Sequence, residues 1–213
     1  MSRGRIDKRR AILDAAFTVF AREGYHQACV KEIAAEAGVA KPTVYNHLGD
    51  KEGLFREAMA AAADRALAES LSAIEALTGE GDVRATLEDV GHRLLRCQGG
   101  ERAWALRRLL YAEIHRVPEL FDTVHGRGAN RLGEALANRL ARLSLGGGLR
   151  AADPDVAAGQ FLALLTGPME TRSRLGTRPV AEAELRAGAR AAVDTFLRAF
   201  GPVSAEGQPS GDR

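Results

Sequence analysis

The sequence predicts an all-α protein, and three features of its 213 residues support that fold class. Alanine, leucine, arginine and glutamate, which favour helices, are abundant, and apolar residues recur three and four positions apart. Sustained alternation of apolar and polar residues, the pattern of half-buried strands, is missing from the sequence. Glycine and proline fall between the apolar segments, where they end one helix and begin the next.

The first three helices are short or of moderate length. The first is expected from about residue 7 to residue 23, where apolar residues share one face and Gly24 follows. Two short segments, 30–37 and 41–48, come next and are divided by Gly38. Helices this short do not recover the cost of nucleation alone, so they must pack on the first helix.

A long fourth helix is expected to begin at Lys51, with Asp50 as its N-cap, and to end near Thr78. The turn residues that follow favour a domain boundary there. The expected division is an N-terminal domain (1–50), a connecting helix (51–78), a C-terminal helical domain (79–200) and a disordered tail (201–213).

The C-terminal domain is expected to consist of further helices at residues 82–98, 101–116, 118–145, 154–175 and 180–200. Gly126 and Gly128 could split the third of these. Gly167 with Pro168 should kink or break the fourth.

Composition narrows the class of protein. A hydrophobic fraction of 46% and a charged fraction of 27% disfavour disorder and a multispanning membrane protein. The two cysteines, Cys29 and Cys97, supply neither a disulfide framework nor the ligands of a structural zinc site. Residues 12–21 are apolar but interrupted, unlike a signal peptide. We expect a soluble, cytoplasmic protein without a metal, a cofactor or a membrane partner.

Residues 30–48 have the pattern of a helix-turn-helix. Ala34 is small enough for two helices to cross, Gly38 tolerates the positive φ of a turn, and Val44 can anchor the second helix. The pattern favours DNA binding over a plain helical hairpin. The basic residues of the chain start, Arg3 and Arg5 among them, could neutralise phosphates or simply form a solvated helix start.

The stretch from Arg10 to Met59 resembles the N-terminal DNA-binding domain of the TetR family of bacterial transcription regulators. Four motifs carry the resemblance in order: EGY, IAAEAGVAK, PTVY and DKE. The segments LRRLLYAEIHRVPELFD and QFLALLTGPM, with the linker 146–154, resemble more loosely the ligand-binding domains of the AcrR-like branch. The resemblance implies an N-terminal helix-turn-helix domain joined by the fourth helix to a ligand-binding and dimerisation domain.

The resemblance makes residues 41–48 the recognition helix that enters the major groove, with Val44 and Leu48 facing inward. The side chains expected on DNA are Lys41, Thr43 and Asn46 toward base edges, Tyr45, His47 and Lys51 toward phosphates, and Pro42, Arg3 and Arg5 beside them.

Several of these positions have a second interpretation or depart from the family pattern. The ring of Tyr45 could also pack on the first helix, and His47 could be a solvated surface histidine. Cys29 stands where serine or threonine commonly caps the second helix, Pro42 where glycine is common, and Leu48 where an aromatic residue is common. A thiol caps poorly, and proline offers no amide donor to a phosphate.

No catalytic constellation is evident in the C-terminal half, so an enzyme is not expected. Bulky and polar side chains there could line a cavity for an unknown small-molecule effector, although core packing is the default interpretation of large side chains at helical spacing. The expected ligand-binding residues are Trp104, Arg107, Tyr111, His115, Phe161 and Met169.

The resemblance also implies a homodimer formed by the last two long helices, 154–175 and 180–200. The expected function is a repressor that binds a palindromic DNA operator and is released by an effector. The alternatives are an activator or a ligand-independent regulator with the same DNA-binding domain and, from another class, a helical small-molecule carrier or enzyme.

Overall fold

The computed structural model describes residues 3–78 and 81–202. The described residues form helices joined by turns and short irregular segments, without a strand, which confirms the predicted all-α fold. The helices are α1 (Arg3–Gln27), α2 (Val30–Glu36), α3 (Lys41–Leu48), α4 (Lys51–Ile74), α5 (Val83–Gly99), α6 (Glu101–Glu113), α7 (Glu119–Phe121), α8 (Arg127–Leu145), α9 (Pro154–Arg172) and α10 (Glu182–Phe200), with a π-helical turn (Asp122–Gly126) before α8. Apart from residues 201 and 202, the tail that was predicted to be disordered lies outside the described residues.

Aspartate side chains cap three of the longer helices. Asp50 accepts a hydrogen bond from the Gly53 amide at 2.7 Å, as predicted for the start of α4. Asp82 and Asp153 cap α5 and α9 in the same way. Each such cap stabilises a helix by about 1 kcal/mol, because it satisfies an amide without a partner in the helix.

Most helices end near the glycine and proline residues that were expected to end them. α1 leaves helical geometry at Gly24, where φ is 76° and ψ is 165°, before a last turn that reaches Gln27. α4 stops at Ile74, four residues before the predicted end at Thr78. The helix after Pro118 is split at the π-helical turn that ends in Gly126.

Pro168 does not interrupt α9, so of the two predicted outcomes, a kink or a break, the break is wrong. The helix continues to Arg172, although proline has no amide hydrogen to donate to the Leu164 carbonyl. Pro168 is exposed, so its ring lies on the solvent side of α9.

Two hydrophobic clusters hold the fold together, and α4 contributes to both. The N-terminal cluster joins α1, α2 and α3 to the first half of α4 and to the apolar side of α6. The C-terminal cluster joins the second half of α4 to α5, α8, α9 and α10. Leu109 and Leu110 of α6 are buried in the N-terminal cluster, which makes α6 a structural bridge between the two halves.

No helix among the described residues combines the length and the apolar character needed to cross a membrane.

Candidate nucleic-acid interface and ligand cavity

α2 and α3 form a helix-turn-helix. Ala34 is 3% exposed where the helices cross, and its carbonyl accepts a hydrogen bond from the Val39 amide at 2.9 Å. Gly38 has a φ of 63°, the left-handed conformation that the tight turn requires. Val44 is buried on the inner face of α3, as predicted. The turn and the inner face together fix the direction in which α3 projects.

The outer face of α3 is polar and accessible. Lys41, Pro42, Tyr45 and Asn46 are exposed, whereas Thr43 and His47 are half-buried. The Lys41 ammonium lies 5.7 Å from the centre of the Tyr45 ring, and 43% of Tyr45 is exposed. Four of the six side chains predicted to contact DNA from α3 are therefore exposed and the other two are partly exposed, while their individual contacts stay predictions.

Lys51 has a structural role that sequence reasoning did not find. Its ammonium donates a hydrogen bond to the His26 carbonyl at 3.0 Å and lies 4.9 Å from the centre of the Tyr25 ring. The contact joins the end of α1 to the start of α4. An ammonium has three donors, so a phosphate contact by Lys51 also stays a prediction. The side chains of Arg3 and Arg5 lie outside the described residues.

Cys29 occupies the N-cap position of α2 and is exposed. Its side chain makes no capping hydrogen bond to any described group, in line with the weak hydrogen bonding of a thiol.

Two groups of ion pairs connect α6 to the helix-turn-helix half. Arg102 of α6 and Arg65 of α4 each donate to the Asp14 carboxylate of α1 at 2.8 Å. We call this group the Asp14 junction. At the other end of α6, Arg116 donates to the carboxylates of Glu113 and Glu52 at 2.7 and 3.1 Å. The pair of Arg116 and Glu113 is local, whereas the other three contacts join residues 51 to 88 positions apart, so no local pattern predicts them.

A cavity of about 470 Å³ opens among α4, α5, α6, the π-helical turn, α8 and α9. Four of the predicted ligand-binding residues line it, namely Trp104, Arg107, Tyr111 and Met169. Most of the remaining wall is apolar and includes Leu67, Leu95, Leu106, Leu132 and Leu162. The dimensions and the mixture of an apolar wall with a few polar groups are typical of small-molecule sites.

The other two predicted ligand-binding residues are not among the described lining residues. α6 ends at Glu113, so His115 leaves the helical face that carries Trp104 and Arg107 and lies exposed in the following turn. Phe161 is fully buried, and its ring meets the ring of Phe196 edge to face at 5.0 Å. It therefore fills the core between α9 and α10.

The cavity also contains residues that sequence reasoning missed, among them Gln98, His125 and Glu170. Burial lowers the pKa of His125, and the positive charge of Arg107 lowers it further. His125 reaches the cavity because it lies on the π-helical turn. The periodicity of an ordinary helix does not indicate that geometry.

The turn after α9 closes against Trp104. Arg174 and Leu175 both have positive φ, at 50° and 56°, and Gly176 follows with a φ of 83°. A Cβ atom on Gly176 would lie 2.3 Å from Cγ of Trp104, so only glycine fits there without displacement.

Comparisons with known proteins agree with this architecture. Residues 12–58 match the model of bacterial regulatory proteins of the tetR family, and residues 85–202 match that of the AefR-like transcriptional repressor C-terminal domain. A putative TetR-family regulator from Mesorhizobium loti has a similar structure, with a TM-score of 0.85 and 30% identity, over 94% of this chain and all of that one.

Curated relatives match over shorter stretches. The transcriptional repressor Rv1474c of Mycobacterium tuberculosis is 32% identical over 108 residues, which is 47% of this chain and 58% of that protein. The transcriptional activator FasR of Mycolicibacterium smegmatis is 45% identical over 51 residues, 24% of this chain and 23% of that protein. The chain thus spans less than two thirds of the length of these relatives.

The N-terminal and C-terminal matches together cover most of the chain, and both belong to regulators of transcription. The protein is accordingly a DNA-binding regulator with a helix-turn-helix, and not an enzyme. It belongs to the TetR family of bacterial transcription regulators.

Proposed function

We propose that the protein is a homodimeric repressor that binds a palindromic operator and leaves it when an effector occupies the cavity. The observation that carries this proposal is the arrangement of α6. One side of this helix lines the cavity with Trp104 and Arg107, while Leu109 and Leu110 are buried in the core of the helix-turn-helix half. Occupation of the cavity can therefore change the position of the DNA-binding domain.

The accessible face of α3 supports the assignment of DNA contacts. Lys41, Thr43 and Asn46 carry groups suited to base edges, and Tyr45 and His47 carry groups suited to phosphates. A dimer presents two such faces, which must be about 34–36 Å apart to enter successive major grooves.

The outer face of α9 and α10 supports dimerisation. A shallow apolar groove runs between the two helices and is lined by Ala163, Leu164, Pro168, Ala199 and Phe200 among others. Val156 extends this face and is 49% exposed. An identical face on a second copy would bury these groups in a four-helix contact with two-fold symmetry.

In the dimer, the distance between the two α3 helices differs between the operator-bound state and the effector-bound state, and this difference leads to effector release. An effector that binds one spacing more tightly lowers operator affinity by the ratio of its affinities for the two states. The Asp14 junction and the ion pairs of Arg116 give α6 two polar connections to α1 and α4. A displacement of α6 is thereby transmitted to α3.

Selection of genomic DNA fragments by the purified protein, followed by titration of the best fragment, tests this function. We expect the protein to bind a palindromic site far more tightly than random DNA, with an affinity that falls steeply as the salt concentration rises.

The variants Thr43→Ala and Tyr45→Phe should each weaken binding by roughly tenfold, since each removes one polar contact. Thr78→Ala, at an exposed position after α4 and outside both α3 and the cavity, is the matched control. Unchanged affinity in both α3 variants would contradict the assignment of the recognition helix.

The alternative is an activator with the same DNA-binding domain. It is favoured by the match of the N-terminal region to FasR, which is named as an activator. A reporter on the selected promoter separates the two functions, because deletion of the gene raises expression for a repressor and lowers it for an activator.

A further inference from the structure

The cavity combines a long apolar wall with very few charges. Five leucines, one each from α4, α5, α6, α8 and α9, line the cavity together with alanines and Trp104. The described lining residues with titratable side chains are Cys97, Arg107, Tyr111, His125 and Glu170. A ligand that fits must therefore be largely apolar, and its polar end must suit these few groups.

Arg107 differs from its neighbours on α6 in having no carboxylate partner among the residues that the structure describes. Arg102 and Arg108 have carboxylate oxygens at 2.8 and 2.6 Å, those of Asp14 and Glu101. Among the described residues, no carboxylate oxygen lies within 4 Å of Arg107. Its Nη1 donates to the Gln98 carbonyl at 2.9 Å, and its guanidinium lies 4.4 Å from the centre of the Trp104 ring. A guanidinium has five donors, and one hydrogen bond to a described group is present, so further donors of this cavity-lining side chain are available to a ligand.

The surroundings of Arg107 disfavour its charge. Burial lowers the pKa of the Arg107 guanidinium, and the interactions with Tyr111 and Glu170 raise it by less, so the charge has lost hydration that no carboxylate within 4 Å among the described residues replaces. A carboxylate bound in the cavity would supply that anion in a charge-assisted and potentially bidentate hydrogen bond. His125, whose pKa is lowered, is neutral near pH 7 and retains one N–H that can also donate to an anion.

A cationic ligand fits these groups poorly. Glu170 is the one acidic residue among the described lining residues, and it is exposed. A cation deeper in the cavity would meet the positive charge of Arg107 without a counter-ion at hand.

We propose that the cavity binds an amphipathic anion, whose carboxylate pairs with Arg107 and whose hydrocarbon part lies along the leucine wall. This assignment of ligand class rests on the proposed function of the cavity as the effector site. The volume of about 470 Å³ lies in the roughly 300–1,000 Å³ range of small-molecule sites.

Trp104 is an intrinsic fluorescent reporter of binding, because it is the single tryptophan of the chain and lines the cavity. Tryptophan fluorescence of the full-length protein near pH 7 is titrated with decanoate, decan-1-ol and decyltrimethylammonium, each below its micellar concentration. These probes share one alkyl chain and differ in the charge of the head group. We expect decanoate to bind roughly tenfold or more tightly than either of the others, the size of effect expected for a charge-assisted hydrogen bond.

Substitution of Arg107 tests the assigned partner. Arg107→Met should abolish the preference for decanoate and leave decan-1-ol binding nearly unchanged, whereas Arg107→Lys should retain part of the preference. Arg108→Met is the matched control on the neighbouring residue and should keep the preference. If circular dichroism shows that the Arg107→Met protein does not fold, the comparison of the three probes on the unchanged protein still tests whether the cavity prefers an anionic head group.

Several results would overturn the assignment: equal affinity for decanoate and decan-1-ol, tighter binding of decyltrimethylammonium, or no saturable binding of decanoate. Operator titrations with and without each probe separate this assignment from the proposed function. Decanoate binding that depends on Arg107 but leaves operator affinity unchanged would support the ligand class and contradict effector release. Operator release by decan-1-ol as effectively as by decanoate would contradict the ligand class and support effector release.

Discussion

The two cysteines differ in their exposure to solvent, and we expect their thiols to differ in reactivity for that reason. Cys29 is exposed at the start of α2, whereas Cys97 is half-buried in the cavity wall. Burial raises the pKa of the Cys97 thiol, and the negative charge of Glu69 raises it further. The reactive thiolate form of Cys97 is therefore scarce at neutral pH.

We expect N-ethylmaleimide to modify Cys29 well before Cys97 near pH 8, as followed by mass spectrometry of tryptic peptides. Because the pKa of Cys97 is raised, its modification should accelerate only at a more alkaline pH than that of an ordinary thiol. Decanoate in the cavity should slow the modification of Cys97 and leave that of Cys29 unchanged. Faster modification of Cys97 than of Cys29 would contradict the described burial.

Lys51 is placed both to hold α1 on α4 and to approach a phosphate. The variant Lys51→Met removes its hydrogen bond to the His26 carbonyl and its contact with the Tyr25 ring. We expect a loss of about 1 kcal/mol in the free energy of unfolding, measured by urea denaturation. If Lys51 also contacts a phosphate, the slope of log affinity against log salt should become shallower by about 1. An unchanged slope would leave Lys51 with its structural role alone.

At the scale of helices, α6 is the element on which both halves depend. Its apolar side packs in the N-terminal cluster, its other side lines the cavity, and its first turn enters the Asp14 junction through Arg102. α4 also spans both halves, but most of its cavity residues are small or apolar. Both α6 and α4 reach Asp14 of α1 through an arginine, and α6 is the one of the two that also presents charged and aromatic groups to the cavity.

The variant Asp14→Asn tests this coupling by weakening two ion pairs at once. Asp14 and Arg65 are each about one third exposed, so we expect a stability loss of only about 1 kcal/mol by thermal denaturation. The effect of an effector on operator affinity should fall several-fold, while operator affinity without the effector should change little. Asp64→Asn, at an exposed position of α4, is the control. Full effector response in the Asp14 variant would show that the junction is not needed for coupling.

Local sequence signals predicted the helices well and their contacts less well. Pro42, Gly38 and Asp50 act on their own neighbours, so α3 and the start of α4 were located correctly. Phe161 was assigned to the ligand site because periodicity shows that a residue is buried but not which helix it faces. The pair of Asp14 and Arg102 spans 88 positions, a separation at which only the folded chain brings residues together.

At the scale of the whole molecule, the unpaired outer face of α9 and α10 governs the expected assembly. We expect a dimer by analytical ultracentrifugation, and Ala163→Glu should produce monomers because it introduces a charge into the apolar groove. Monomers should also bind the operator much more weakly, since they lose the paired half-sites. Ala112→Glu adds the same charge to an exposed position on α6 and should remain dimeric. A dimeric Ala163→Glu protein would place the interface elsewhere.

The contact between Trp104 and Gly176 sets a limit on redesign of the protein as a biosensor. A smaller residue at position 104 would enlarge the cavity and, in the same step, remove the support of the turn after α9. A library of variants designed to bind new ligands should therefore leave Trp104 and Gly176 unchanged. Leu162 and Thr166, which line the cavity from α9, are the better positions to randomise.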